Sequence, residues 1–287
     1  LASATPFGRL VELDSETIMP VYGTLRVDER TVSCSALLRS GDSGKTWTGF
    51  TVIACDRDDG AIDYGPTAVC TDNRGTVLAL ITVDDMYLYR TISKDGAQTW
   101  SEPQQSLYAR NPSLVMMGST MACVNSGAAP ADATGVILRG VLRAQFSDDL
   151  FDSWRCDRMF DQAIKGDFCS AVALDEDRLL IAHDRVGYVF EDRGTPVDAG
   201  INVTSMQRNP KAPLVAGILL PSEERDDWTL VDTFSTSLEH GFGELQLSGN
   251  KLYTLSGEHI YASSDKGKSF TIASKGPPTH DYPQHSG

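Results

Sequence analysis

The residues of this chain best suited to moving protons or attacking an electrophile are three carboxylates, Asp28, Asp63 and Asp167, and the phenol of Tyr64. A carboxyl serves as general acid or base when it is held within hydrogen-bond reach of the proton it transfers, and a tyrosine oxygen becomes a nucleophile beside a base. Groups that grip polar ligands accompany them: Arg9 and Arg110, whose planar forks match carboxylates and paired hydroxyls, and Asn111, His240 and Glu244. Each has a plainer reading. An Asp before a strand is commonly a turn residue, Tyr64 can simply pack, and Asp28 stands amid Arg26, Glu29 and Arg30 as a solvated hairpin carboxylate would. Arg9 with Glu244 reads best as an ion pair that closes the fold between neighbouring units.

What groups these residues is their place in a recurring strand pattern. Short apolar strands begin near residues 7, 64, 111, 168 and 242, each followed by a turn and a second apolar strand. Aligned on their apolar pair, they put Pro6, Tyr64, Arg110, Asp167 and Gly241 in one column, flanked by Asp63, Asn111 and His240. Three residues further along stand Arg9, Thr67, Ser113, Ser170 and Glu244. Asp28 lies elsewhere, after the second strand of the first unit.

Downstream comes an eight-residue segment that repeats. Ser40-Gly41-Asp42-Ser43-Gly44-Lys45-Thr46-Trp47 has the form Ser-x-Asp-x-Gly-x-Thr-Trp. Residues 93–100 repeat it with Ala97 for the glycine, 263–270 are a third copy ending in Phe270, and 147–154 are a worn fourth. Around Trp228 little beyond the aromatic survives. Such an Asp accepts from backbone N–H groups of its own loop, the Gly supplies positive φ, and the aromatic opens the next strand. Each copy therefore predicts a turn joining two strands. Four antiparallel strands per unit of about 40–55 residues is the pattern of a propeller blade. Five blades are visible, and the interval 155–228 has room for a degenerate sixth around 187–207 or for an insertion. An all-β β-propeller is expected, as one domain over 1–275 with a Pro-rich tail over 276–287.

The eight-residue turns resemble the Asp boxes, or BNR repeats, of the sialidase superfamily, over about residues 7–273. The resemblance implies a propeller, most often six-bladed, with the boxes on the outer rim between third and fourth strands and away from substrate. It implies a site at the mouth of the central channel, where the innermost strands begin. There the family carries an acid/base Asp after the second strand of the first blade, which Asp28 matches. Its Tyr nucleophile and Glu partner come from later blades, with Tyr188 and Glu191, or Tyr64 and a rim carboxylate, as the choices here. The family's Phe/Tyr-Arg-Ile-Pro element, which carries one arginine of a triad, is replaced by Thr5-Pro6-Phe7-Gly8-Arg9-Leu10, with Arg9 displaced downstream. A sialidase-like glycoside hydrolase is implied, acting on a glycan by carboxylate chemistry, with its two groups about 5 Å apart for retention or roughly 6.5–9.5 Å for inversion. A noncatalytic propeller that binds a glycan or a protein surface is the alternative.

Composition narrows the partners. With 25 Lys+Arg against 39 Asp+Glu, the net charge of −14 has the wrong sign for phosphate backbones, so nucleic acid is not expected. No run nears the roughly 20 apolar residues of a membrane helix. The six cysteines lack CxxC spacing, so no metal is expected; they read as buried thiols, with disulfides open if the protein is exported. No cofactor is expected. Ala2-Ser3-Ala4 has the small-residue make-up found at processing sites, and a secreted, periplasmic or cell-surface location is expected.

Overall fold

The computed structural model describes residues 1–56, 61–72, 74–129, 138–162, 169–188, 196–208, 228–236, 244–256 and 259–275. Among them no helix is long and apolar enough to cross a membrane, and the ordered elements are strands. The first sheet comprises β1 (Ser3–Pro6), β2 (Val11–Glu12), β3 (Thr17–Val27), β4 (Arg30–Ser40) and β5 (Gly49–Cys55), the two short strands both pairing with β3. The second runs β6 (Tyr64–Thr71), β7 (Val77–Val83), β8 (Tyr87–Ser93), β9 (Gln104–Leu107), and the third β10 (Arg110–Met117), β11 (Thr120–Ala129), β12 (Leu138–Ser147), β13 (Arg155–Gln162). The fourth runs β14 (Cys169–Asp175), β15 (Arg178–Tyr188), β16 (Pro196–Arg208), β17 (Trp228–Thr236), and the fifth β18 (Gln246–Ser248), β19 (Lys251–Ser256), β20 (His259–Ser263), β21 (Thr271–Lys275). Every pairing is antiparallel, and in the second to fifth sheets it joins consecutive strands, so each of these is a meander; in the first, β1 and β2 share the edge of β3.

These sheets are the blades of a β-propeller, and their cores lie between blades. Val77–Val83 is buried at every position because one face packs on the first sheet and the other on the third. That is why it reads as an unbroken apolar run instead of an alternating one. Leu37, Ile81 and Val83 fill the first interface; Leu80, Leu114 and Met121 the second; Phe146, Ala171 and Ile181 the third; Val172, Leu180 and Leu252 the fourth. Between the fifth sheet and the first, no comparable apolar cluster forms among the described residues.

The four repeated turns adopt one geometry. In each, the Asp accepts from the serine two residues earlier and from the amide and hydroxyl four residues later, as Asp42 does with Ser40 at 2.8 Å and with Thr46 at 2.8 and 2.7 Å. Asp95, Asp149 and Asp265 repeat the set. All four turns join the third strand of a blade to the fourth. The worn copy is intact in backbone: Phe151 stands where Gly44 stands, at φ +60°, and its ring is buried between the second and third blades.

Two local expectations are corrected. Of the stretch read as a degenerate sixth blade or an insertion, the described residues 187–188 and 196–207 belong to the fourth blade: Arg178 pairs with Gln207 and Gly187 with Asp198 in the β15–β16 pair. The first blade's innermost strand is not one piece. It breaks between Pro6 and Val11, where Gly8 at φ +82° passes so close to β6 that a Cβ would lie 3.0 Å from the Thr67 carbonyl. The 276–287 ending lies outside the described residues.

Candidate functional site at the channel mouth

The mouth is the end at which β6, β10 and β14 begin and at which second strands turn into third strands; the repeated Asp turns lie at the opposite end. In the first blade that turn is Asp28-Glu29, in the second Asp84-Asp85-Met86. Asp28, Asp84 and Asp85 all have φ of 51–55°, the left-handed conformation that matches a tight hairpin to strand twist. Asp28 and Asp84 therefore occupy equivalent places. Asp28 is exposed at the tip, four residues past Thr24, roughly 13 Å along a strand rising about 3.3 Å per residue.

Asp63 lies lower, against the sheets. The Ser33 hydroxyl of β4 donates to its Oδ1 at 2.9 Å and accepts the Tyr64 amide at 2.9 Å. The Asp63 amide donates to Asp84 Oδ1 at 2.9 Å, and the Asp84 amide returns to the Asp63 carbonyl at 2.9 Å. The lead-in is fixed too, since the Ile62 amide donates to Asp56 Oδ2 at 2.8 Å. Backbone and hydroxyl together hold one exposed carboxylate at the junction of two blades.

Proline dictates what happens next. The register slips between Tyr64 and Thr67 in β6 and between Arg110 and Ser113 in β10, at Gly65-Pro66 and Asn111-Pro112. Pro has no N–H for the ladder, so a strand accommodates it at an edge or a bulge, and a bulge re-aims its neighbours. Asn111 takes φ +50°, with its amide donating to Thr82 Oγ1 at 3.1 Å, and is buried. Arg110 projects to Asp85, Nη1 to Oδ2 at 2.6 Å, with the carboxylate 70% exposed. Tyr64 instead turns into the core between the first two blades, where burial, reinforced by the charge of Asp56, pushes its phenol above the usual range.

Three residues deeper, the second column forms a polar belt. Ser113 accepts the Ala171 amide at 3.1 Å and Ser170 the Leu245 amide at 2.8 Å. Thr67 bonds Ser35 at 2.7 Å. Arg9, released by the break at Gly8, reaches across the hub to the Ala171 carbonyl and, at 3.2 Å, to that of Leu245. These amides and carbonyls belong to the free edges of innermost strands, which must be satisfied somehow. Glu244 donates nothing and accepts from Ser170. Burial raises its carboxyl above the ordinary range, opposed by the Arg9 charge and by the Ser170 and Ser113 hydroxyls.

Asp63, Arg110 and Asn111 thus share the mouth, Asp28 overhangs it, Tyr64 faces a core, and Arg9 and Glu244 lie in the belt below. Asp167 and His240 lie outside the described residues, as does Glu191. Sequence reasoning missed Ser33, Thr82, Asp84 and Asp85. The usable signal was the Pro in the same place of two innermost strands.

No family model matches the chain, and no curated protein matches it. Solved structures do. A protein of unknown function from Dyadobacter fermentans aligns over 63% of this chain with a TM-score of 0.52 and 17% identity, the match spanning half of that protein. An alpha-L-arabinanase from Penicillium chrysogenum, solved with arabinobiose, aligns over 94% at TM-score 0.59 and 13% identity, covering 81% of that chain. A Hadza microbial sialidase aligns over 94% at TM-score 0.56 and 16% identity, covering 58% of it. Together with the blades described above, these likenesses identify the fold as a β-propeller, the fold shared by the arabinanase and the sialidase.

Proposed function

We propose that this protein is a glycoside hydrolase of the sialidase-like fold, acting outside the cytoplasm on a glycan held at the mouth of its hub. The observation that carries the reading is that Asp63 and Arg110, at the starts of neighbouring innermost strands, are both anchored on the Asp84-Asp85 turn at the mouth. A carboxylate that moves protons beside a cation that grips hydroxyls or a carboxylate is what glycoside cleavage requires. Asp63 serves as the proton carrier, with Asp28 or Asp167 as its counterpart. Arg110 and Asn111 contact the sugar, and His240 stands in the column that would complete the rim. The Arg110–Asp85 pair is exposed enough for a ligand to displace it.

A second reading, a propeller that binds a glycan without cleaving it, is favoured by two observations. Tyr64 is packed with its phenol shifted upward, so it is a poor nucleophile, and Arg9 is engaged by backbone carbonyls. One experiment separates the readings: a fluorogenic-glycoside screen and a glycan array run on the parent and on Asp28→Asn, Asp63→Asn and Asp167→Asn. Hydrolysis predicts turnover that falls about 100-fold or more in at least one variant. Array binding without turnover on any glycoside establishes the second reading, and unchanged turnover in all three variants discards these residues.

A further inference from the structure

Cys34 of β4 and Cys55 of β5 are register partners. The Asp56 amide bonds the Ser33 carbonyl at 3.2 Å, which brackets the cysteines from outside and marks them as a non-hydrogen-bonded pair. Such pairs hold their Cα atoms about 4.5 Å apart, with side chains at their closest. That lies inside the range of about 4.4–6.8 Å that a disulfide bridges. Neither is part of a disulfide, so both carry thiols. The other cysteines of innermost and second strands face different residues: Cys70 pairs with Leu78, Cys123 with Leu114 and Gln145, and Cys169 with His183.

We propose that Cys34 and Cys55 form a dithiol–disulfide site, closed by small-molecule disulfides such as oxidised glutathione. The two sulfurs differ in access. Cys34 lies on a strand with neighbours on both sides and is fully buried, whereas Cys55 ends the outermost strand of the first blade and is half-buried. Cys55 is the entry point. Its thiolate attacks one sulfur of oxidised glutathione, the S–S bond breaks, and the first glutathione leaves as a thiolate that takes up a proton. Cys34, losing its proton, then attacks the Cys55 sulfur; the Cys34–Cys55 bond forms as the second glutathione departs. The protein's two thiols are oxidised and one disulfide is reduced to two thiols. Burial holds the Cys34 thiol up at about 11, which suits a residue shielded until its partner is already activated.

The site adjoins the mouth. Ser33 precedes Cys34 and holds Asp63, and Asp56 follows Cys55 and holds the Ile62 amide. Closing the disulfide fastens the two strand ends from which the Asp63 segment hangs. The chemistry itself is independent of whether a glycan binds there.

The test uses the full chain. After incubation with oxidised glutathione and an acid quench, the unfolded protein is assayed for free thiols and its peptides are mapped. The expected result is a fall from six thiols to four, a Cys34–Cys55 cross-link, and full reversal by dithiothreitol. Cys34→Ser should instead retain glutathione on Cys55, and Cys55→Ser, a change at a half-buried edge, should take up none at Cys34. A link between any other two cysteines, six thiols persisting in the folded parent, or a Cys55→Ser protein that reacts as fast as the parent would overturn the proposal.

Discussion

The Ser170 hydroxyl accepts the Leu245 amide at 2.8 Å, tying the innermost strand of the fourth blade to the start of the fifth. The same hydroxyl donates to Glu244, so one small side chain satisfies two groups at the hub. Removing it strands a buried amide, and an unsatisfied buried donor costs about 1–3 kcal/mol. Ser170→Ala should lose about that much in a urea titration, and so should Ser113→Ala, which strands the Ala171 amide. A change below about 0.5 kcal/mol in both, within the usual range for surface substitutions, would mean that water enters the belt freely.

Glu244 makes the belt sensitive to alkali in a defined direction. Its carboxyl is raised by burial above the unfolded value of about 4.3. A raised acid stabilises the fold while protonated, so its contribution is full below about pH 4.3 and is lost as pH climbs through the folded-state value. Glu244→Gln keeps the shape and the acceptor while abolishing the titration. Thermal melts of the variant should be flatter than the parent's over this range; identical slopes would place the charge of Glu244 in water.

The repeated turns titrate the opposite way. Asp42 and Asp265 are held down to about 2 by the hydroxyl and amide donors of their own loops, and Asp95 and Asp149 are lowered as well. A lowered acid contributes above its unfolded value, near 3.9, and that contribution drains away as pH falls from about 4 towards about 2. Acid unfolding should therefore begin in this window and be shallower in Asp42→Asn. Glu244 acts in the other sense, so the turns lose their contribution on the acid side and Glu244 loses its own on the alkaline side. A midpoint that is level from pH 4 to pH 2 would remove the turns from the account of acid stability.

Much of this architecture was legible because its signals are local. A serine, an Asp and a positive-φ residue within five positions suffice to specify each repeated turn, so the turns could be read residue by residue. The sequence ahead of Trp228 lacks that motif, and the strands β15 and β16 of the fourth blade resembled an insertion because nothing local marked their register. The column containing Thr67, Ser113, Ser170, Glu244 and Arg9 was visible as spacing; Ser113, Ser170 and the Arg9 charge act on Glu244, while Thr67 bonds Ser35 of the first blade. What spacing could not show was that Arg9 spends itself on carbonyls of two other blades, which depends on a strand break at Gly8. Nor could it show that bulges at Pro66 and Pro112 send Tyr64 into a core and Arg110 to the rim, since a bulge reverses the facing that simple alternation assigns.

The worn turn at Phe151 offers a test of how packing overrides backbone preference. A non-glycine residue in the left-handed region costs roughly 1–2 kcal/mol, whereas burying a phenylalanine is worth about 3–5 kcal/mol against truncation. Phe151→Gly relieves the first and forfeits the second, so a net loss of about 1–4 kcal/mol is expected. Ala97 holds the same place in the second blade at φ +62° with only a methyl buried. There, backbone relief and the loss of one methyl nearly cancel, and Ala97→Gly should stay within about 1 kcal/mol of the parent. Chemical denaturation of both variants checks the contrast, and equal effects would deny that the Phe151 ring fills the interface.

Arg110 and Asp85 separate ligand binding from stability. Their contact is 2.6 Å, but Asp85 is largely exposed, and pairs of this kind contribute about 0–1 kcal/mol to folding. Neither Arg110→Ala nor Asp85→Asn should shift the unfolding midpoint appreciably. On a glycan that the parent binds, the two should diverge. Arg110→Ala removes a charge-assisted donor worth about 1.5–3 kcal/mol, or roughly 10- to 150-fold in affinity. Asp85→Asn removes the competitor for that donor and should leave affinity unchanged or improve it, most for sugars bearing a carboxylate. Titration calorimetry on the two variants decides the matter: equal losses would mean that Asp85 itself contacts the sugar, and no loss in either would move the binding site away from this side of the mouth.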